Sequence, residues 1–312
     1  MVHMITRRQL LAGGAAGVGA ALWPGPRTLE GASRAGSFRY CLNTALLRGY
    51  ELGIREQVEV AGRAGYSAIE PWTSDLGSFV ESGGSLADLR RRIADHGLTV
   101  ESAIGFAEWI AEDPAQRAAG LEQARRDMEL VSRIGGTRIA APPAGAIRGP
   151  RLDLDAIADR YRALLEVGAE IGVVPQLEVW GFANNLSRLS ESTYVVIQAG
   201  HPDACLLPDV YHLYKGGSGF EGLRQLSPHA VQVFHMNDYP DIPREAIEDK
   251  DRVLPGEGVA PLTTILRILR DNGCTPFLSI ELFNEGYLKR FDPPTLASRG
   301  LASMKGAVAG LG

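Results

Sequence analysis

Short apolar runs alternate with longer stretches of helical periodicity from residue 38 onwards. Eight runs rich in apolar and β-branched residues predict strands, and after each one apolar residues recur every three or four positions. The predicted strands cover residues 38–43, 67–72, 99–104, 137–142, 174–179, 204–209, 231–236 and 277–282. The predicted helices lie near 54–64, 86–96, 114–134, 153–171, 187–200, 219–226, 260–272 and 294–309. This alternation is typical of βα units around a parallel sheet.

Eight strand–helix units over about 275 residues match the size of an α/β protein of the (β/α)₈ TIM-barrel type. A doubly wound open sheet needs the same alternation and is the alternative. That alternative commonly carries a glycine-rich phosphate loop after its first strand, and the segment "CLNTALLRGYELG" contains no such motif. We therefore expect a single barrel domain over residues 37–312.

Residues 1–36 differ in composition from the rest of the chain. The segment "TRRQLL" carries Arg7 and Arg8 and continues into a weakly apolar Ala/Gly stretch, which resembles a twin-arginine export signal. The alternative is a basic leader followed by a linker. The apolar stretch is shorter than the roughly 20 residues that a membrane span needs. We expect an exported, periplasmic or extracytoplasmic protein without a stable membrane span, or a cytoplasmic one if the leader is not functional.

Composition narrows the class of partner. The formal net charge is −5 and the only basic cluster is at residues 90–92, so a nucleic-acid partner is not expected. The three cysteines, Cys41, Cys205 and Cys274, lie far apart in or beside apolar runs, which predicts buried thiols without disulfides. A small-molecule partner fits this composition, and a homo-oligomer is compatible with it.

Four polar residues interrupt apolar strands near their carboxyl ends: Glu178, Asp209, His235 and Glu281. Each of them alone would be interpreted as a cap or a salt-bridge partner. In a barrel, however, the carboxyl ends of the strands meet at one face, where active sites lie. Buried charges need partners, and one shared cation would serve all four. The oxygen-rich set favours Mn²⁺ or Mg²⁺ over Co²⁺ or Zn²⁺.

The segments around these residues resemble the xylose isomerase-like TIM-barrel superfamily, the sugar phosphate isomerase/epimerase group. The segments are "LEVW", "LLPDVYHLYKGG", "VFHMNDYP", "DRVLPGEG" and "SIELFN", and the resemblance covers nearly the whole chain after the leader. It implies that Glu178, Asp209, His235 and Glu281 bind one divalent metal. It also implies that Glu178 and Glu281 form the acid/base pair, and that His212 contacts substrate oxygens. Such enzymes remove a proton next to a metal-bound carbonyl and form an enediolate.

Other residues at the predicted rim are candidates for substrate binding. Glu70 is expected to hydrogen-bond to a sugar, and Trp180 is expected either to stack on it or to pack in the core. Arg252 and Glu257 either cap the substrate or form a structural salt-bridge cluster. Lys215 either neutralises an anionic substrate or is solvated.

The resemblance leaves more than one activity open. The leading hypothesis is a metal-dependent sugar isomerase or epimerase. The alternative is a lyase or dehydratase acting on keto-sugars or keto-glycosides, similar to inosose dehydratase, and a non-catalytic sugar-binding barrel is the third possibility. The repair-nuclease branch of the superfamily is not favoured, because Val253 stands where that branch has a metal-binding histidine.

Overall fold

The computed structural model describes residues 37–311. The predicted export leader, residues 1–36, lies outside the described residues, so the twin-arginine signal and the exported location stay predictions. Among the described helices, none combines the length and the apolar character that crossing a membrane requires.

All eight predicted strands form, and they are parallel. Backbone hydrogen bonds join neighbouring strands in two sets, in the order β3-β2-β1-β8-β7 and in the order β4-β5-β6. A hydrogen bond of 2.8 Å from the Ala140 amide to the Ala103 carbonyl joins β3 to β4, and the Asp209–His235 bridge joins β6 to β7. The sheet therefore closes into the predicted (β/α)₈ barrel. Its strands are Arg39–Asn43 (β1), Ala68–Glu70 (β2), Thr99–Val100 (β3), Arg138–Ala141 (β4), Val174–Glu178 (β5), Leu206–Leu207 (β6), Val233–Met236 (β7) and Phe277–Ile280 (β8).

The helices surround the barrel, and seven of the eight predicted ones form as α-helices. The prediction for residues 219–226 was wrong: a 3₁₀ helix, Glu221–Gln225, forms there, in a segment weakened for a longer helix by Gly222. Three short helices, α2, α7 and α9, were not predicted. The α-helices are Ile54–Ala64 (α1), Thr73–Glu81 (α2), Leu86–Asp95 (α3), Pro114–Arg133 (α4), Leu154–Ile171 (α5), Leu189–Ala199 (α6), Val210–Lys215 (α7), Leu262–Asp271 (α8), Glu285–Arg290 (α9) and Pro293–Ala309 (α10).

Local sequence signals define the ends of these helices. Asp153 caps α5 by accepting a hydrogen bond of 3.0 Å from the Ala156 amide, and the helix ends at Gly172, whose φ of 83° suits a residue without a side chain. Tyr161 on the buried face of α5 donates its hydroxyl to the Pro175 carbonyl at 2.8 Å. This contact fixes α5 against β5, the strand that carries Glu178.

The barrel interior changes from apolar to polar along five of the strands, β1, β2, β6, β7 and β8. Side chains two residues apart in a strand point to the same face, so a residue two positions after an inward-pointing one also points into the barrel. One buried apolar cluster includes Cys41, Ala68, Leu207, Val233 and Phe277. Two residues further on, the same strands or their carboxyl ends supply Asn43, Glu70, Asp209, His235 and Ser279, all buried. The polar layer therefore lies at the carboxyl end of the barrel.

The three cysteines are buried and free, which confirms the prediction of unpaired thiols.

Candidate metal centre

Three strands bring an imidazole and two carboxylates together at the floor of the carboxyl-end cavity. Glu178 ends β5, His235 lies in β7 and Glu281 follows β8, and all three are buried. The His235 Nδ1 atom is 3.3 Å from Glu281 Oε2 and 3.7 Å from Glu178 Oε1. One ligand atom of each residue lies within 4.8 Å of the others. These three side chains form a buried triad that is consistent with a divalent metal site.

A second carboxylate fixes the orientation of the His235 ring. His235 Nε2 lies 3.1 Å from Glu70 Oε2, and the same oxygen accepts hydrogen bonds from Ser279 Oγ at 2.6 Å and from Asn43 Nδ2 at 3.0 Å. Because a carboxylate only accepts, Nε2 carries the proton. The other ring nitrogen, Nδ1, is buried and has no hydrogen-bond partner within residues 37–311. An unpartnered nitrogen facing two carboxylates is the arrangement expected of a metal-binding histidine with an outer carboxylate.

Burial and the mutual contacts of the triad shift the pKa values of all three residues. Burial raises the pKa of Glu178 to about 8, and the nearby Glu281 adds to this effect. Burial alone would also raise the pKa of Glu281, but His235 and Arg252 hold it below its usual range. Burial lowers the pKa of His235, while Glu281 and Glu70 outweigh this effect and raise it well above its usual value. A divalent cation would compensate the two carboxylates and replace the protons, so the residues fit such an ion.

Asp209, the fourth predicted ligand, lies beside the triad but outside the set of atoms within 4.8 Å. Its Oδ1 accepts a hydrogen bond of 2.7 Å from the His212 amide and so caps α7. Its Oδ2 accepts from Asn237 Nδ2 at 2.8 Å and from Arg252 Nη1 at 3.4 Å. Both oxygens are thus engaged by the protein, and its role as a metal ligand stays a prediction.

Arg252 is buried among the acidic residues of the site. Its Nη1 donates to Glu281 Oε2 at 2.8 Å, and its Nη2 pairs with Asp249 and lies 3.1 Å from His212 Nε2. Burial and the Arg252 charge lower the pKa of His212 well below its usual value. His212 is therefore neutral, with Nε2 accepting from the guanidinium and Nδ1 carrying the proton. That Nδ1 atom is buried and has no hydrogen-bond partner among the described residues.

A cavity of about 190 Å³ lies over the triad. Glu178 and Glu281 line it together with three predicted substrate-binding residues, His212, Trp180 and Arg252. Trp72, which ends the second predicted strand and was expected either to stack on a sugar or to pack in the core, also lines the cavity. Sequence reasoning missed the rest of the wall, which consists of Ile104, Phe106, Phe182, Asp249 and Phe283. The missed aromatic residues follow strands β3, β5 and β8, which is the signal that could have identified them.

Three predicted substrate-binding residues do not line this cavity. Glu70 lies beneath it as the partner of His235, because its position in β2 directs it into the barrel. Glu257 accepts a hydrogen bond from the Tyr287 hydroxyl at 2.5 Å. Lys215 donates to the Ile247 carbonyl at 2.8 Å and lines a neighbouring depression. Each of these three side chains contacts the protein itself, and their roles in substrate binding stay predictions.

A parallel barrel with a buried Glu/His/Glu triad at its carboxyl end is the arrangement of a metal-dependent barrel enzyme. The chain belongs to the xylose isomerase-like TIM barrel family, whose sequence profile matches residues 58–307.

Relatives of this chain are named for two kinds of activity. An inosose isomerase from Bacillus velezensis is 25% identical over 239 residues, which cover 76% of this chain and 85% of that protein. A 3-dehydroshikimate dehydratase from Pseudomonas aeruginosa is 25% identical over 237 residues, which cover 74% of this chain but only 36% of that protein. The crystal structure of the IolI protein with a bound zinc atom superposes with a TM-score of 0.81 at 21% identity, covering 88% of this chain and 99% of that one. The last likeness shows the shared fold.

Proposed function

We propose that this protein is a divalent-metal-dependent isomerase or epimerase of a sugar or sugar derivative that carries a carbonyl group. The observation that carries the proposal is the cavity lined by two buried carboxylates, Glu178 and Glu281, whose ligand atoms lie within 4.8 Å of the His235 imidazole. A sugar-sized cavity with two carboxylates at its floor suits proton transfer at the carbon next to a carbonyl. The inosose isomerase relative, named for a sugar-like ketone, supports this substrate class.

Glu178, His235 and Glu281 would hold the metal ion, with Asp209 as a proposed fourth ligand. When bound, a divalent ion of this kind supplies Lewis acidity that polarises a carbonyl oxygen and acidifies the neighbouring C–H bond. The outer carboxylate of Glu70 would hold the His235 ring so that Nδ1 faces the ion. Mn²⁺ or Mg²⁺ remains our preferred ion, and Zn²⁺ is the alternative.

The chain's own residues would move the proton. One of Glu178 and Glu281 removes it from the carbon, and the same residue or the other one returns it. His212 is neutral, lines the cavity and has an Nδ1–H group without a partner among the described residues. This group would donate a hydrogen bond to a substrate oxygen. Arg252 compensates the charge of Glu281 through its 2.8 Å contact and keeps that carboxylate ionised. Trp180, on the wall, would pack against the sugar ring and exclude water.

A second candidate function is a lyase or dehydratase. The relative named 3-dehydroshikimate dehydratase favours it. Proton removal next to the carbonyl is the same in both reactions, and elimination of a substituent one carbon further replaces the return of the proton. An exported location is compatible with either activity and stays a proposal.

Solvent deuterium incorporation tests the function. The purified protein is first analysed for bound metal, and then incubated in D₂O with Mn²⁺ and a panel of ketoses, inososes and keto-glycosides. We expect deuterium at the carbon next to the carbonyl of at least one compound, and product analysis separates isomerisation from elimination. The Glu281→Gln variant serves as the control without exchange. Binding of sugars without any exchange would support a non-catalytic barrel and overturn the proposal.

A further inference from the structure

An arc of aromatic side chains surrounds the mouth of the cavity. Phe283 and Trp72 have ring centroids 6.4 Å apart, Trp72 and Phe106 4.9 Å, Phe106 and Trp180 6.1 Å, and Trp180 and Phe182 5.1 Å. These five residues, here called the aromatic arc, come from loops after four different strands. All of them line the same cavity as the catalytic carboxylates. The arc therefore extends the site from its charged floor towards solvent.

Two members of the arc are exposed. Phe106 is 41% exposed and Phe182 is 38% exposed, whereas most large apolar side chains of the described residues are buried. Both lie at the cavity, so their exposed surface is contiguous with the site. Apolar surface gains about 25 cal/mol per Å² when it is removed from water, and an apolar group of the substrate would supply that cover.

The arc itself offers few free hydrogen-bonding groups. Trp72 directs its Nε1–H to Asn43 Oδ1 at 3.3 Å, and Arg48 stacks over the Trp72 ring while it pairs with Asp75 at 3.1 Å. Among the described residues that line the cavity, Arg252 is the one cation, and its guanidinium pairs with Glu281 and Asp249. A phosphate or a second sugar lying against the rings of the arc would find few partners for its polar groups, whereas an aromatic group needs none.

There is space at the mouth for a substituent. The cavity over the triad is about 190 Å³, below the roughly 300 Å³ at which drug-sized sites begin. A neighbouring depression of about 380 Å³ shares Phe182 and Asp249 with it. The depression is also lined by the charged side chains of Lys215, Glu248 and Lys250. The enclosed part thus suits one sugar ring, and an apolar substituent on that ring would lie against Phe106 and Phe182, before these charged residues.

We propose that the substrate carries an aromatic substituent on its sugar ring and that Phe106 and Phe182 bind this substituent. The inference rests on the proposed function, since the sugar ring is assigned to the floor of the cavity. Aromatic rings pack on one another in offset or tilted arrangements, and such pairs are more favourable than the burial of their area alone. The substrate class is therefore a neutral aryl-substituted keto-sugar, such as an aryl keto-glycoside.

Binding of paired glycosides tests this inference. Phenyl β-D-glucopyranoside and methyl β-D-glucopyranoside differ only in the substituent, and their affinities for the Mn²⁺-loaded protein are measured by calorimetry. We expect the phenyl compound to bind at least about tenfold more tightly, a difference of 1.4 kcal/mol. In the Phe106→Ala/Phe182→Ala double variant we expect the ratio of phenyl to methyl glucoside affinity to fall to no more than about twofold. A wild-type protein that does not bind the phenyl compound more tightly, or a double variant that keeps the preference, overturns the inference.

Two further measurements keep this test decisive. If the double variant does not fold, Phe106→Leu and Phe182→Leu replace it, because leucine keeps the apolar volume but removes the ring face, and each should reduce the phenyl preference. Deuterium incorporation into a free ketose reports on the proposed function separately. Exchange without phenyl preference overturns only the aromatic substituent, whereas phenyl preference without exchange into any sugar supports the aromatic subsite and overturns the isomerase.

Discussion

Glu70 holds His235 from beneath the cavity, with 3.1 Å between Glu70 Oε2 and His235 Nε2, although 165 residues separate them in the chain. Both side chains are buried, and Ser279 and Asn43 hydrogen-bond to the same Glu70 oxygen. The contact crosses the barrel interior, because β1 and β8 lie between β2 and β7 in the sheet. It leaves Nδ1 as the atom that faces Glu178 and Glu281.

Removing the charge of Glu70 should weaken metal binding without removing a ligand. We expect the Glu70→Gln variant to bind Mn²⁺ about 10- to 100-fold more weakly, the range found for outer partners of metal-binding histidines. The ring loses the anion that raises its basicity and fixes its rotation. Calorimetric titration of the metal-free protein measures the change. Glu122→Gln, an exposed carboxylate on α4, is the matched control, and an unchanged affinity in Glu70→Gln would show that Glu70 has no positioning role.

Removing a carboxylate of the triad should abolish both metal binding and activity. Glu281→Gln loses a proposed ligand, a proposed acid/base group and the 2.8 Å partner of Arg252. We expect its metal affinity to fall by more than about 100-fold, beyond the range for outer partners, and deuterium exchange to disappear. Glu285→Gln, an exposed carboxylate in α9, controls for the loss of one surface charge. Full activity with one bound metal per chain in Glu281→Gln would refute the assignment.

The architecture could be predicted because its signals are local. Each strand is an apolar run, and polar residues that interrupt such runs near their ends are conspicuous in the sequence, as with Glu178, His235 and Glu281. Period-two alternation then directs them into the barrel. The short helix α7 was missed because it begins directly after its cap, Asp209, inside a segment that also supplies site residues. Its six residues also show no helical periodicity.

The remaining features of the site depend on contacts that are distant in sequence. Glu70 was expected at the substrate, but the register of β2 against β1 and the closure of the barrel place it beneath His235. Phe106 stands in a long loop after β3, and the direction of a loop side chain is set by packing against other loops, here those of Trp72 and Trp180. No periodicity in the sequence reports such packing.

Removing His212 should separate metal binding from turnover. The ring lines the cavity and contacts Arg252 at 3.1 Å, but it is not one of the three side chains whose ligand atoms converge. We expect His212→Ala to keep its metal and to lose about 100-fold in kcat, the loss typical of removing one donor to a developing negative charge. Metal content and steady-state kinetics measured on the same preparation test this. His229→Ala, an exposed histidine, is the control, and loss of metal in His212→Ala would instead make His212 a ligand.

Chelation should lower the thermal stability of the protein. Without a cation, burial raises the pKa of Glu178 to about 8, which means that the folded site does not stabilise the charged form of this carboxylate. A ligand present at about 100 times its Kd stabilises the folded state by about 2.7 kcal/mol, or about 5 °C or more in Tm for a domain of this size. Thermal scans with EDTA and with excess Mn²⁺ measure the difference. The Glu281→Gln variant should show no difference between the two scans, because its triad is broken. An equal Mn²⁺-dependent rise in wild type and variant would place the stabilising ion elsewhere in the protein.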